Sequence, residues 1–177
     1  MPHVFEPAAS GRSKCRGCGR ALQRGELRFG ERISNPFAGG EATLWFHPLC
    51  AAYKRPESLL ETLERSSGAV PDRQAEALER AARSSLLQPR LPRIDGAEHA
   101  KGQATCRHCR QPIPRGAWRI RLVFYEEGQF SPSGFIHVAC ARDYFGTGDI
   151  LGHVLHFSPA LGDSERDELR RALTIDP

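Results

Sequence analysis

No run of about eighteen apolar residues, the length that a bilayer-crossing helix needs, occurs anywhere in the 177-residue sequence. The opening stretch MPHVFEPAAS lacks the charged and apolar regions of a secretory signal. The expectation is therefore an intracellular chain with no membrane partner. Lysine is nearly missing, with 3 residues against 22 arginines. That bias suits bidentate phosphate contacts, and a GC-rich genome produces it as well. Acidic residues are missing from Lys101 to Arg121, where six basic residues lie, and from Arg12 to Arg32 seven basic residues face only Glu26 and Glu31. The whole chain carries a formal charge of only +4, so the remainder is net acidic. Two basic islands in a nearly balanced chain point to local anion sites rather than a generally adhesive surface.

What the sequence does contain is six cysteines in two sets of three: Cys15, Cys18 and Cys50, then Cys106, Cys109 and Cys140. Three thiols cannot pair off within a set, and with no secretion signal the pattern favours metal over disulfides. The first set reads Cys15-x2-Cys18-x28-His47-x2-Cys50 and the second Cys106-x2-Cys109-x27-His137-x2-Cys140. Each supplies three thiolates and one imidazole, the closed tetrahedral shell of a structural zinc site, so two structural Zn2+ ions are expected. With all four positions filled, neither site keeps the open position that catalytic zinc requires. No carboxylate pair or nucleophile–base arrangement stands out, so neither catalysis nor a small-molecule substrate is expected. His108 reads as an exposed loop residue, because His137 fills the repeated position, and His153 and His156 read as helix residues.

The two halves repeat one another. CRGCGRALQRGELRF is answered by CRHCRQPIPRGAWRI, LWFHPLC by GFIHVAC, and PDRQAEALERAA (residues 71–82) by GDSERDELRRAL (residues 162–173). The last pair opens with capping residues and continues as an amphipathic helix. The fold class expected is small α+β, zinc-stabilised modules in tandem, each a Cys3His knuckle, a β-hairpin and C-terminal helices. The boundaries are 1–90 and 98–177, with a linker at 91–97 inside QPRLPRIDG. Within ELRFGERI, Leu27, Phe29 and Ile33 alternate with Arg28 and Arg32. Within WRIRLVFY, Trp118, Ile120, Leu122 and Phe124 alternate with Arg119, Arg121 and Tyr125, so each strand has one apolar face and one arginine face.

These motifs together closely resemble the zinc finger of poly(ADP-ribose) polymerases, a module also found at the amino end of a nick-sensing DNA ligase. The residues that carry the resemblance are GRSKC before the knuckle, GELR after it, WFH at the histidine and the helix starting PDRQ. The resemblance implies paired fingers that recognise DNA strand breaks without reading sequence. Arg12 and Arg28 match positions that contact DNA phosphates, and Arg119 matches Arg28, while Gln103 stands where the second finger's Arg12 would be. With the neighbouring Lys14, Arg16, Arg32, Arg107 and Arg121 these form the candidate phosphate contacts. Base-stacking candidates in the hairpin region are Phe37 and Ala42 in the first finger and Phe130 and Phe135 in the second, Phe135 reading equally as a core strand residue. Two fingers account for the sequence, leaving no room for an ADP-ribosyltransferase or ligase domain. The function expected is a non-catalytic sensor of nicks, short gaps or ends, working beside a DNA ligase or polymerase in a bacterial cytoplasm, or in a nucleus if eukaryotic. A protein-interaction zinc module and a general single-stranded nucleic-acid binder are the alternatives.

Overall fold

Alternating apolar residues around Phe29 make the middle strand of the first sheet. The computed structural model describes residues 2–35, 39–66, 68–88, 92–126 and 128–174. The chain divides into two compact units, one of Met1–Leu86 with Glu126–Phe130 and the other of Leu87–Tyr125 with Ser131–Pro177.

The first unit opens with strands β1 (Val4–Pro7), β2 (Leu27–Ser34) and β3 (Glu41–Phe46), antiparallel in the order β1-β2-β3. Phe5, Phe29 and Phe46 meet in one cluster, with ring centroids 5.4 and 6.3 Å apart, and all three are buried. Each such ring removed from water stabilises the unit by roughly 1.5–3 kcal/mol. Helices α1 (Pro48–Lys54), α2 (Pro56–Arg65) and α3 (Asp72–Leu86) follow, the first two each with proline in the first turn, where its missing N–H is harmless. Along α3, Leu78, Ala82 and Ser85 form the buried stripe, and Ser85 Oγ donates to the Tyr53 carbonyl at 2.7 Å. Glu31 breaks the apolar logic of β2. It is 1% exposed, yet its carboxylate accepts from Arg55 Nε and Nη2 at 2.8–2.9 Å and from Ser58 Oγ at 2.6 Å. The pair ties β2 to the α1–α2 junction, with the buried charge matched and hydrogen-bonded.

The second unit contains β4 (Arg93–His99), β5 (Ala104–Thr105), β6 (Pro112–Ile113) and all of β7 (Trp118–Glu126) and β8 (Gln129–His137) except their joined ends within Glu126–Phe130, which group with the first unit. The order β4-β7-β8 makes the main sheet, and β5 pairs with β6 in a short ribbon. A 3-10 turn at Val138–Cys140 leads to α4 (Ala141–Phe145), then α5 (Leu151–His156) and α6 (Asp163–Thr174). Ile94, Ile113, Ile120, Leu122, Ile136 and Phe145 form the centre of its core.

Both hairpin strands and both terminal helices stand where the periodicity places them, within a few residues at the ends. The linker does not. From Arg93 onward it is β4, paired to β7, with Ile94 and Ala97 at 0% and 4% exposure. A bulge between Ile94 and Ala97 interrupts the alternation that marks a strand. Gly96 makes the bulge possible at φ +103°, because a Cβ there would fall 2.3 Å from the Phe157 carbonyl oxygen. His108 also differs from the exposed loop residue expected, being half-buried and edge-on to Tyr144. His153 lies in α5 as expected, buried, with the Gln88 amide 3.1 Å from its Nδ1.

Each knuckle turn needs a left-handed residue four positions after its first cysteine. In the first unit this is Gly19 at φ +74°, and in the second it is Arg110 at φ +64°. A side chain in that region costs roughly 1–2 kcal/mol, part of which glycine would return through its greater freedom in the unfolded chain. Arg110→Gly is therefore expected to stabilise the second unit by about 1 kcal/mol. The readout is a later denaturation midpoint at unchanged slope.

Candidate metal centres and anion-binding face

The knuckle turns are closed by backbone hydrogen bonds. Gly19 N–H donates to the Cys15 carbonyl at 2.8 Å and Cys15 N–H to the Arg20 carbonyl at 2.8 Å. Arg110 N–H to Cys106 and Cys106 N–H to Gln111 repeat them at 3.0 and 2.9 Å. The other two ligands come from the end of the sheet. His47 caps α1 in an extended conformation, with Pro48 setting the first turn, so Cys50 returns to the same side one turn later. His137 and Cys140 do the same across the 3-10 turn. The backbone N–H of each histidine also donates to a cysteine sulfur, His47 to Cys15 at 3.3 Å and His137 to Cys106 at 3.4 Å.

In both units the four donor atoms lie within 4.8 Å of one another. The imidazoles point Nδ1 inward, 3.4 Å from Cys18 and 3.9 Å from Cys50 in the first, and 3.4 Å from Cys109 and 3.8 Å from Cys140 in the second. These separations suit a tetrahedral ion with bonds of about 2.0–2.3 Å, and the donors are those a structural zinc takes. The outer nitrogens are held too. His47 Nε2 lies 3.6 Å from the Glu26 carboxylate and His137 Nε2 lies 3.1 Å from the Pro112 carbonyl. Such partners fix ring orientation and raise ligand basicity.

Crowding couples the titrations. Hydrogen bonds from Cys15 and Cys50 drive the Cys18 thiol far down, whereas Cys50, bonded to Cys15 and Cys18, is driven up. Bonds to Cys15 and Cys18 lift His47 to about 10. In the second cluster burial alone would raise Cys106, but backbone hydrogen bonds from Cys109, His137 and His108 bring it to about 6. Cys140 goes up to about 12, through burial and then its bond to Cys109. A metal ion must displace the retained protons, so loading is favoured as pH rises. The centres also differ in cover. Cys15 and Cys50 are 1% and 0% exposed, while in the second centre Cys106 is buried and Cys109 is open to solvent.

Beside each centre the same three-part clamp appears. Arg28, on β2 opposite Glu6, has Nη2 2.6 Å from the Glu6 carboxylate and its Cζ 3.5 Å from the centroid of the Trp45 ring. Arg119, on β7 opposite Glu98, has Nη2 2.6 Å from that carboxylate and its Cζ 3.6 Å from the Phe135 ring. Both arginines are buried, at 7% and 8% exposure, so the arginine faces expected to be open are roofed by a ring and a carboxylate. Gly30 permits this in the first unit, since a Cβ there would lie 2.6 Å from the Trp45 ring. Arg121 joins the second clamp through Glu98 at 3.1 Å and the Asp95 carbonyl at 2.8 Å. Burial alone would raise Glu98, but Arg119 and Arg121 outweigh it and hold the carboxyl below its ordinary value.

The remaining candidates spread around these clamps. Arg12, Lys14 and Arg16 are exposed, and Arg32 is half-buried, its N–H donating to His3 Nδ1 at 3.1 Å. Arg107 is exposed and donates to the Ser133 hydroxyl at 3.1 Å. Phe37 lies outside the described residues. Ala42 is half-buried on β3 opposite Ile33, and Phe130 is half-buried among the residues grouped with the first unit. Phe135 is half-buried with the Arg119 guanidinium over its ring. Glu6, Glu98, Trp45 and Glu26 escaped the sequence reading. The signal for the first pair is an acid ahead of each knuckle, Glu6 before Cys15 and Glu98 before Cys106, inside strands too short or too bulged to be read.

No family model matches the chain. Curated relatives do. The chain is 28% identical to a poly[ADP-ribose] polymerase of Sarcophaga peregrina over 142 residues, and 28% identical to poly[ADP-ribose] polymerase 1 of Gallus gallus over 144. These matches cover 71% and 72% of the chain but only 14% of either polymerase. It is 27% identical to the polynucleotide 3'-phosphatase ZDP of Arabidopsis thaliana over 165 residues, covering 79% of the chain and 24% of that protein. At family level these similarities agree with the resemblance drawn from the cysteine and histidine motifs, in a region far shorter than the whole relatives.

Metal at such a centre contributes roughly 10–16 kcal/mol of apparent folding free energy, more than a small core supplies. Complete chelation is expected to collapse the far-ultraviolet circular dichroism of both units. The more open centre yields first, so Cys109 and Cys140 become alkylated before Cys15 and Cys50. Mass spectrometry during chelation reads that order.

Proposed function

We propose that the chain is a non-catalytic sensor of DNA strand breaks, built from two tandem zinc fingers that each hold one structural Zn2+. The observation that carries this reading is the repeated constellation of a Cys3His centre beside a ring-stacked, carboxylate-clamped arginine, bordered by exposed cations. Arg12, Lys14 and Arg16 in the first finger and Arg107 in the second meet phosphates, and Arg28 and Arg119 set the positive floor beneath them. Contacts of this kind position a protein on DNA without reading its sequence.

Preference for a break follows from deformability. In an intact duplex the face of a base pair is covered by its neighbour, while at a nick or gap the stack is interrupted and bending there costs less. A residue at or beside the hairpin turn, with Phe37, Ala42 and Phe130 as the candidates, then stacks on the uncovered pair, worth about 1–3 kcal/mol. Similarity to polymerases named for poly[ADP-ribose] and to a phosphatase named for polynucleotide 3' ends supports nucleic acid over a protein partner. The break, once marked, is left to a separate DNA polymerase that fills it or DNA ligase that seals it.

The test is fluorescence anisotropy with three duplexes of one sequence: intact, nicked and carrying a one-nucleotide gap. Binding to the two broken duplexes is expected to be at least about tenfold tighter than to the intact one and to fall steeply with salt. Equal affinity for all three overturns break recognition.

A further inference from the structure

The two anion-binding faces are not equivalent. Counting from the first cysteine of each centre, Arg16 corresponds to Arg107, Lys14 to Thr105, Ser13 to Ala104 and Arg12 to Gln103. Counting back from the histidine ligand, Trp45 corresponds to Phe135 and Thr43 to Ser133.

In the first unit a concavity of about 520 Å3 opens beside the knuckle, lined among others by Ser13, Lys14, Arg16, Thr43 and Trp45. It exceeds a lone phosphate and lies in the size range of small-ligand sites, enough for a length of sugar-phosphate backbone. Arg28 adjoins it, stacked on Trp45 and with Nη1 3.3 Å from Ser13 Oγ. Arg28 is 7% exposed as a residue, and its Nε has no hydrogen-bond partner among the described residues. The Glu6 side chain that faces it is 40% exposed and bonds it through Nη2. One carboxylate, half in water, thus opposes Arg28 and three exposed cations.

The second unit ties two arginines to one carboxylate, Glu98, which accepts from Arg121 as well as Arg119. Arg119 gives both Nε and Nη2 to Glu98 Oε1, at 3.1 and 2.6 Å, and that carboxylate is 24% exposed. Neutral residues stand in the places of Arg12 and Lys14, and alanine replaces the serine that meets Arg28. Arg107 is held back by Ser133, donating to its hydroxyl at 3.1 Å and its carbonyl at 3.3 Å. Arg110 stands where Gly19 leaves the wall of the first concavity without a side chain.

We infer that the first unit is the backbone anchor: the concavity between Lys14, Arg16 and Trp45 holds DNA phosphates, and the second unit contributes a minor share of the phosphate affinity. The inference rests on the DNA-binding reading above and adds to it which unit bears the charge-dependent contacts.

The experiment uses the full zinc-loaded chain and a nicked duplex, with anisotropy titrations from 50 to 300 mM salt. All the substituted positions are exposed, and unchanged circular dichroism with two zinc ions per chain confirms that each variant folds. Arg16→Ala alone is expected to weaken binding at least about tenfold and to lower the salt slope by about one, and adding Lys14→Ala to lower the slope by about one more. Arg107→Ala, at the position matching Arg16, is expected to cost no more than about threefold. Gln103→Arg with Thr105→Lys, which copies the first unit's cations onto the second, is expected to steepen the slope by about one to two and tighten binding. Matched losses for Arg16→Ala and Arg107→Ala, or no gain from the added cations, overturn the anchor assignment while leaving DNA binding intact. If the unmodified chain binds none of the duplexes, the reading on which the anchor rests fails, and the anchor fails with it.

Discussion

Everything in this chain depends on gathering three sulfurs and one imidazole nitrogen around a single point, twice. The four donors come from two places distant in sequence, a tight turn and the start of a helix, and they meet within 4.8 Å. Without a cation the cluster resolves its crowding by sharing protons unevenly, with Cys18 pushed down and Cys50 pushed up. A dication bound there would replace that arrangement with one in which every thiol is a ligand, and its binding energy would become folding energy. The centre is also the ruler for what lies beside it. The ring that carries each arginine sits two residues before the histidine ligand, on the strand that delivers it, so fixing His47 or His137 also fixes Trp45 or Phe135.

The second organising fact is how each unit handles a buried positive charge. Arg28 and Arg119 lie on middle strands whose other face is the core, with a ring on one side and a glutamate on the edge strand opposite. A guanidinium tolerates this because its plane stacks on the ring and a carboxylate meets its charge. The difference lies in completeness. Glu98 receives two bonds from Arg119 and one from Arg121, while Glu6 receives one from Arg28. Glu98 thus ties down two arginines at once, whereas Arg28 meets the partly exposed Glu6 by a single bond and adjoins the segment that carries exposed Arg12, Lys14 and Arg16. Charge that the fold leaves uncompensated is what a polyanion recognises.

The two Cys3His clusters were legible in the sequence, because Cys-x2-Cys and His-x2-Cys are set by local turn and helix-start geometry and leave a fixed spacing. Hairpin strands and amphipathic helices were legible for the same reason, each being a local period. What could not be read depended on partners far away. β4 hid behind the Gly96 bulge, which broke its alternation, and Pro92 just ahead of it made the stretch look like a joint. The burial of Arg28 and Arg119 was equally hidden. Alternation assigns them to a polar face, but only tertiary structure shows that a ring and a carboxylate cover it. Glu31 is the converse case, an acid that shares the parity of Leu27, Phe29 and Ile33 on the apolar face and is sealed there beneath Arg55 and Ser58.

The claim that most needs testing is that metal builds the DNA-binding face rather than merely accompanying it. The direct measurement is the affinity and salt dependence of nicked-duplex binding by the zinc-loaded chain, the metal-stripped chain and the stripped chain after zinc is returned. The account predicts that stripping abolishes tight, break-preferring binding and that zinc restores both affinity and salt slope. A stripped chain that held the nicked duplex as tightly as the loaded one would show that the arginines bind without the frame, and would contradict it.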